Sequence, residues 1–221
     1  MKATSMSRIW LRARLSVASL LRDHSGIAAT EFAVIVPIML VMFFGTVEFS
    51  SGVAANRKVT LVAKTLSDLT SQSPATNTAQ TSATVDDNYL QNVFTASIAI
   101  VQPYSATPTK AQVSEIYIDT NRIAKIQWSK AATIGSGATS ATLANSTRNA
   151  GDVVTVPPDL SVANTYVIFS EVSYLYTPAV GYVMSMSGVT LSDVAYTRPR
   201  QVPCVVYNNI PAPNPNPCPT P

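Results

Sequence analysis

Two cysteines and one histidine are all the thiol and imidazole groups in these 221 residues. His24 lies on the far side of a long apolar run from Cys204 and Cys218. Three residues divided in that way cannot assemble a zinc site, and no metal or other cofactor is expected. Neither a Gly-x-Ser-x-Gly elbow, a glycine-rich phosphate loop nor a zinc-binding pattern is present. The chain is therefore not expected to be an enzyme. Excess charge is also scarce, at +3. Five of the 15 Lys and Arg residues (Lys2, Arg8, Arg12, Arg14 and Arg22) precede the apolar run, against Asp23 alone of the 12 acids. The remainder is close to neutral, and no nucleic-acid partner is expected.

What the chain has in abundance is apolar sequence near its start. Ile27 to Val47 carries one charge, Glu31, and Glu48 closes the run. A helix over those positions spans about 31 Å, enough for the hydrocarbon core of a bilayer. A cleaved secretory signal has a shorter core of about 7–15 residues and small residues at its far end, unlike Val47-Glu48-Phe49-Ser50. The partner implied is a lipid bilayer. Positive flanks stay cytoplasmic, so the N-terminus is expected inside and everything after Val47 outside. Pro37 removes one helical hydrogen bond and is expected to kink the membrane helix, either for a purpose or passively.

Glu31 has two readings. A carboxylate near a helix N-terminus is favoured by the macrodipole and the unpaired amides there. Alternatively, cleavage after Gly26 would make Ile27 a charged amine, and that amine on one subunit could pair with Glu31 of a neighbour. In a low-dielectric setting such a pair fixes axial register, because either charge left alone is costly.

A basic leader, Gly26, four residues, Glu31-Phe32 and an apolar helix together resemble the prepilin signal of Flp/Tad (tight adherence) type IV pilus systems. Ala33, Pro37, Gly45, Glu48 and Phe49 extend the likeness to the TadE-like pseudopilins. Farther on, Glu171-Val172-Ser173-Tyr174, Tyr176, Pro178 and Arg198-Pro199-Arg200 are similar to that family's C-terminal half. The resemblance implies a minor pseudopilin of the bacterial inner membrane. A prepilin peptidase would cut it between Gly26 and Ile27, and Glu31 and Phe32 would serve assembly and register. Its partners would be other pilin and minor pseudopilin subunits and the inner-membrane assembly platform. Phe32 stands where major Flp pilins usually carry Tyr, which favours a minor subunit. The Asp-x-Ser-x-Ser metal motif of the TadG relatives is missing; Asp159-Leu160-Ser161 is the nearest fragment. The alternative is an uncleaved, signal-anchored periplasmic scaffold or binding protein whose leader is never removed.

The spacing of Val59, Val62, Leu66 and Leu69 predicts that the helix continues from 48 to about 70 as an amphipathic stretch. Residues 71–84 read as a linker. Asp86 and Asp87 open a helix over 87–99, with Tyr89, Leu90, Val93, Phe94 and Ile98 inward. Segments 113–119 and 122–128 read as a hairpin around Asn121, with Ala124, Ile126 and Trp128 on one side. Residues 131–150 read as a surface excursion, 165–176 as the best strand and 190–196 as the last. The expected fold is α+β and pilin-like: a long N-terminal transmembrane and amphipathic helix packed on a small antiparallel β-sheet head. The divisions are a leader over 1–26, a membrane helix over 27–47, its continuation over 48–70, a periplasmic head over 71–200 and a proline-rich tail over 201–221. Glu171 is expected on the sheet's wet rim or paired with Arg198 or Arg200. Outside the membrane Cys204 and Cys218 would meet oxidising conditions. Their one intramolecular pairing closes a 15-residue loop, worth about 3 kcal/mol; two free thiols or a link between chains are the alternatives.

Overall fold

A computed structural model describes residues 26–74, 83–178 and 187–207. The arrangement is α+β, a long N-terminal helix and an antiparallel sheet. The first helix, α1, runs without a break from Ile27–Ser71 and includes Pro37. The chain divides into two compact units between Val47 and Glu48.

In the first unit the helical residues are exposed almost throughout, including Phe32, Val34, Met42 and Phe43. An isolated helix that is apolar all round has no core of its own to face, as expected of a segment solvated by lipid. Thr30 and Thr46 turn their hydroxyls back onto the carbonyls of Ile27 and Met42, each at 2.8 Å, so neither leaves an unsatisfied donor in an apolar setting.

The second unit begins at Glu48. Here α1 becomes one-sided: Ala55, Val59, Val62, Ala63 and Leu66 are buried, while Asn56, Arg57, Leu61 and Lys64 are exposed. That spacing puts the buried set on one stripe. The described strands are β1 (Ala83–Val85), β2 (Thr109–Ile118), β3 (Ala124–Thr133), β4 (Thr142–Ala144), β5 (Val153–Val154), β6 (Thr165–Tyr176), β7 (Val189–Thr197) and β8 (Val205–Tyr207). Helix α2 spans Asp87–Ala99. The main sheet has the order β4-β3-β2-β6-β7, with β5 also on β3, and all its pairings are antiparallel. A separate parallel pair joins β1 to β8.

One hydrophobic cluster gathers the stripe of α1, Leu90, Phe94 and Ile98 of α2, and Val113, Trp128, Ile168 and Val172 of the sheet. Hydroxyl pins supplement it. Ser170 donates to the Ala63 carbonyl at 2.6 Å, and Thr60 donates to Asp193. Lys58 donates to the carbonyls of Ile100 and Gln102, at 3.0 and 2.6 Å. A cation there meets the negative end of α2. At the other end of α2, Asp86 accepts from the Tyr89 amide at 2.7 Å, the cap expected from the sequence.

The sheet is buried on both sides. Ile116, Ile118, Ala124, Ile126, Val167 and Phe169 form a second cluster with Val156, covered further by Val154 and Leu160. This corrects the expectation that Ala124, Ile126 and Trp128 share one side. The register slips between Glu115 and Ile116, which pair with Trp128 and Ile126, leaving Gln127 as the extra residue of a bulge. An inserted residue reverses which face the next side chains occupy, so Trp128 joins the first cluster and Ile126 the second. Residues 131–150 are not wholly a surface excursion either: β3 continues to Thr133, and β4 folds back on it. Folded structure also reaches past residue 200. Val205 and Tyr207 are buried, and Cys204 sits against Tyr166 at 1% exposure. Cys218 lies outside the described residues.

Candidate functional site

Gly26, Ile27, Glu31 and Phe32 occupy the first turns of α1, and all four are exposed. One helical turn either side, Glu31 is flanked by Ile27, Ala28, Val34 and Ile35. It makes no hydrogen bond, ion pair or other polar interaction among the described residues. Thus nothing this part of the chain supplies neutralises the acid. A carboxylate at membrane depth costs about 2.5–3.5 kcal/mol on insertion scales, so a partner outside the chain would be strongly favoured. Pro37 lies six positions on, within the same helix.

A second acid of the same helix has the opposite environment. Glu48 is 3% exposed, and the Tyr176 hydroxyl donates to its Oε1 at 2.9 Å. Burial, followed by the neighbouring Glu48, pushes the Tyr176 hydroxyl up to about 12. That phenol therefore remains a proton donor across the ordinary pH range. Tyr104 stands edge-on to the Tyr176 ring at 6.2 Å and donates to the Ser51 carbonyl at 3.1 Å. The Tyr176 ring packs close over Gly52, where a Cβ would lie in ordinary van der Waals contact with Cε1 at 3.7 Å. The result ties the last strand residue of β6 to α1 directly after the apolar run. In the sequence Glu48 and Tyr176 stand only as separate family-like fragments. A carboxylate closing an apolar helix gave no indication that it would face inward, and its partner lies 128 positions away.

Removing the phenol hydroxyl tests this clasp. Tyr176→Phe keeps the ring and withdraws a donor from a buried carboxylate, an expected loss of about 1–3 kcal/mol. Urea unfolding of Tyr176→Phe, Glu48→Gln and the double variant should show coupling between the two positions. Additive effects would mean that the clasp contributes nothing of its own.

Glu171 is the third acid singled out by sequence, and its partner differs from either one expected. Arg148 holds it through two donors, Nε to Oε2 at 3.0 Å and Nη2 to Oε1 at 2.7 Å. Arg200 instead pairs with Asp68 of α1 at 2.5 Å, and Arg198 makes no ion pair among the described residues. Glu171 lies in β6 beside Gln112 of β2, which also donates to it. The surrounding concavity, about 460 Å³, is walled by small residues including Ala131, Ala144 and Ser173. A carboxylate held by a fork of guanidinium donors is committed to structure. Among the described residues no group of His, Cys, Asp and Glu could hold a metal ion.

Among the described helices, α1 alone is long and apolar enough to cross a membrane. No curated protein and no solved structure matches the chain. A family model described as TadE-like protein matches residues 26–65. This chain thus carries a TadE-like N-terminal segment that runs from Gly26 through Glu31, Pro37 and the buried Glu48 into the core-facing half of α1.

Proposed function

We propose that this protein is a minor pseudopilin serving assembly of a Tad-type type IV pilus. Residues 27–47 hold it in the bacterial inner membrane, with the leader cytoplasmic and the head periplasmic. A prepilin peptidase cuts between Gly26 and Ile27. The new amine of one subunit then meets Glu31 of a neighbour, a pilin or another minor pseudopilin, on the inner-membrane assembly platform. The observation that carries this reading is Glu31 itself: a charge without a partner among the described residues, on an exposed apolar helix, inside the TadE-like segment. Phe32, 68% exposed beside it, offers a neighbouring helix an apolar contact. The buried Glu48 serves the chain's own head, which leaves Glu31 as the acid available to another subunit.

The test is the first residue of the mature protein, together with Glu31→Val. Ile27 is expected at the N-terminus of membrane-extracted protein from cells with an active peptidase. Glu31→Val is expected to insert normally, since it removes an unfavourable charge from the span, and to reduce pilus incorporation at least about tenfold, the effect of about 1.4 kcal/mol of lost pairing. Met1 retained while pili form normally would instead establish an uncleaved anchored scaffold, and unchanged incorporation of Glu31→Val would remove the docking role.

A further inference from the structure

Directly past the apolar run, α1 keeps an apolar side that the head does not cover. Phe49 is 69% exposed and Val53 39%. Phe49, Gly52, Val53, Asn56 and Arg57 recur at a spacing that places them on one helix face. Together with Tyr176 at the end of β6 and Val189 and Leu191 at the start of β7, they line an open groove of about 350 Å³. Its lining holds one charged side chain, Arg57, and no carboxylate. Phe49 lies two residues beyond Val47, so the groove begins where the membrane-length run ends.

We propose that this groove seats an anionic phospholipid of the leaflet on the head's side. Its acyl chain lies along Phe49, Val53 and Leu191, and its phosphate meets Arg57. The proposal rests on α1 being a membrane anchor and is independent of any role in a pilus. Three features favour lipid over another protein. The groove's first residue, Phe49, follows the end of the membrane-length run by two positions in the sequence. Its volume of about 350 Å³ is on the scale of a small-molecule site, which begins near 300 Å³. Its polarity also runs the right way for a lipid. The apolar residues lie toward the membrane run, and the cation stands about 12 Å farther along the helix. Helical side chains lean toward the N-terminus, so Arg57 reaches down toward the headgroup layer as a long cationic side chain does at an interface. Arg57 has no ion-pair partner among the described residues, which leaves its guanidinium available to a phosphate.

The experiment uses the full chain in nanodiscs of phosphatidylglycerol or phosphatidylcholine, with p-benzoylphenylalanine at Val53. After irradiation the intact mass identifies what was captured. The expected product is the chain plus one phospholipid, formed about fivefold more with phosphatidylglycerol, the preference one cation confers at an anionic surface. Arg57→Gln is expected to erase that preference. The same probe at Leu191, on the opposite wall, should capture lipid as well. Placed at Leu61, exposed but outside the groove, it should capture little. Cross-links to a second chain, or equal capture from Val53 and Leu61, would overturn the proposal. Entry into the nanodisc without any adduct from Val53 or Leu191 would overturn the groove alone. Failure to enter at all would overturn the membrane anchor and the groove with it.

Discussion

Leu66→Ala is expected to destabilise the head by about 2–5 kcal/mol, whereas Leu61→Ala, five residues earlier on the same helix, should cost less than about 0.5 kcal/mol. The two substitutions delete the same atoms from the same helix. They therefore share whatever changes alanine brings to helix propensity and to the unfolded chain. What differs is burial. Leu66 is fully buried in the cluster that holds Phe94, Trp128 and Ile168, while Leu61 is 51% exposed. Truncating Leu66 loses its transfer free energy and leaves a cavity that a helix, held on both sides of the gap by Val62, Ala63, Thr70 and their neighbours, cannot close by shifting alone. Against a total stability of about 5–15 kcal/mol that loss is a large share. Urea unfolding in mild detergent, followed by the emission of buried Trp128, measures both variants. Comparable small losses at the two positions would mean that the outer half of α1 does not form one wall of the head's core. A large effect at Leu61 would mean that its exposed side is covered in solution, which the groove and the neighbouring helix face would then have to explain.

Periodic elements of this fold were legible in the sequence, and relations between distant residues were not. The stripe of Val59, Val62 and Leu66, the cap at Asp86 and the strand from Thr165 to Tyr176 all follow from local rules, and each stands as expected. The α+β arrangement followed from their order. What escaped is what depends on pairing across the chain. The slip at Gln127 moves Trp128 and Ile126 to opposite faces, and nothing in the local alternation announces it. Arg148 lies in a stretch rich in Gly, Ser, Ala and Thr, which reads as loop; only the fold brings it to Glu171. The short strand β8 is preceded by Pro203 in a tail dominated by proline, so composition hid it. At the candidate site the motif around Gly26 and Glu31 was visible because its residues lie close together. The matched segment, 26–65, is that same local stretch. The clasp of Glu48 on Tyr176 needed the folded chain.

The same strand β8 supplies the second large prediction: stability should fall as pH rises from about 5 to 8, and Glu115→Gln should abolish most of that slope. Glu115 is 2% exposed, with its Oε1 accepting from the Val205 amide at 2.6 Å. The Trp128 Nε1 donates to the Val205 carbonyl at 2.6 Å and lies 3.2 Å from Glu115 Oε2. Burial pushes the carboxyl up to about 8, and the Val205 and Trp128 donors only partly oppose it. The unfolded chain releases this proton near 4.5, so between the two values the folded state binds more protons than the unfolded state. The contribution of Glu115 to stability is then greatest below about 4.5, declines by up to about 1.4 kcal/mol per pH unit and levels off above about 8. The cumulative effect is on the order of several kcal/mol. Tyr166, the other titrating group near Glu115, is raised by burial first and then by Glu115 itself; it releases its proton well above this window and does not set the slope. Glutamine retains an oxygen for the Val205 amide and carries no charge to bury, so Glu115→Gln should match the wild type at low pH and exceed it at pH 8. A wild-type slope that survives in Glu115→Gln would place the titrating group elsewhere. A slope of opposite sign would mean that the donors from Val205 and Trp128 outweigh burial and hold the carboxylate ionised. Because Val205 and Cys204 are adjacent, the charge state of Glu115 also bears on how firmly residues 204–207 are held: protonated, the carboxyl lets β8 pack without a buried charge, and ionised, it makes that same packing costly.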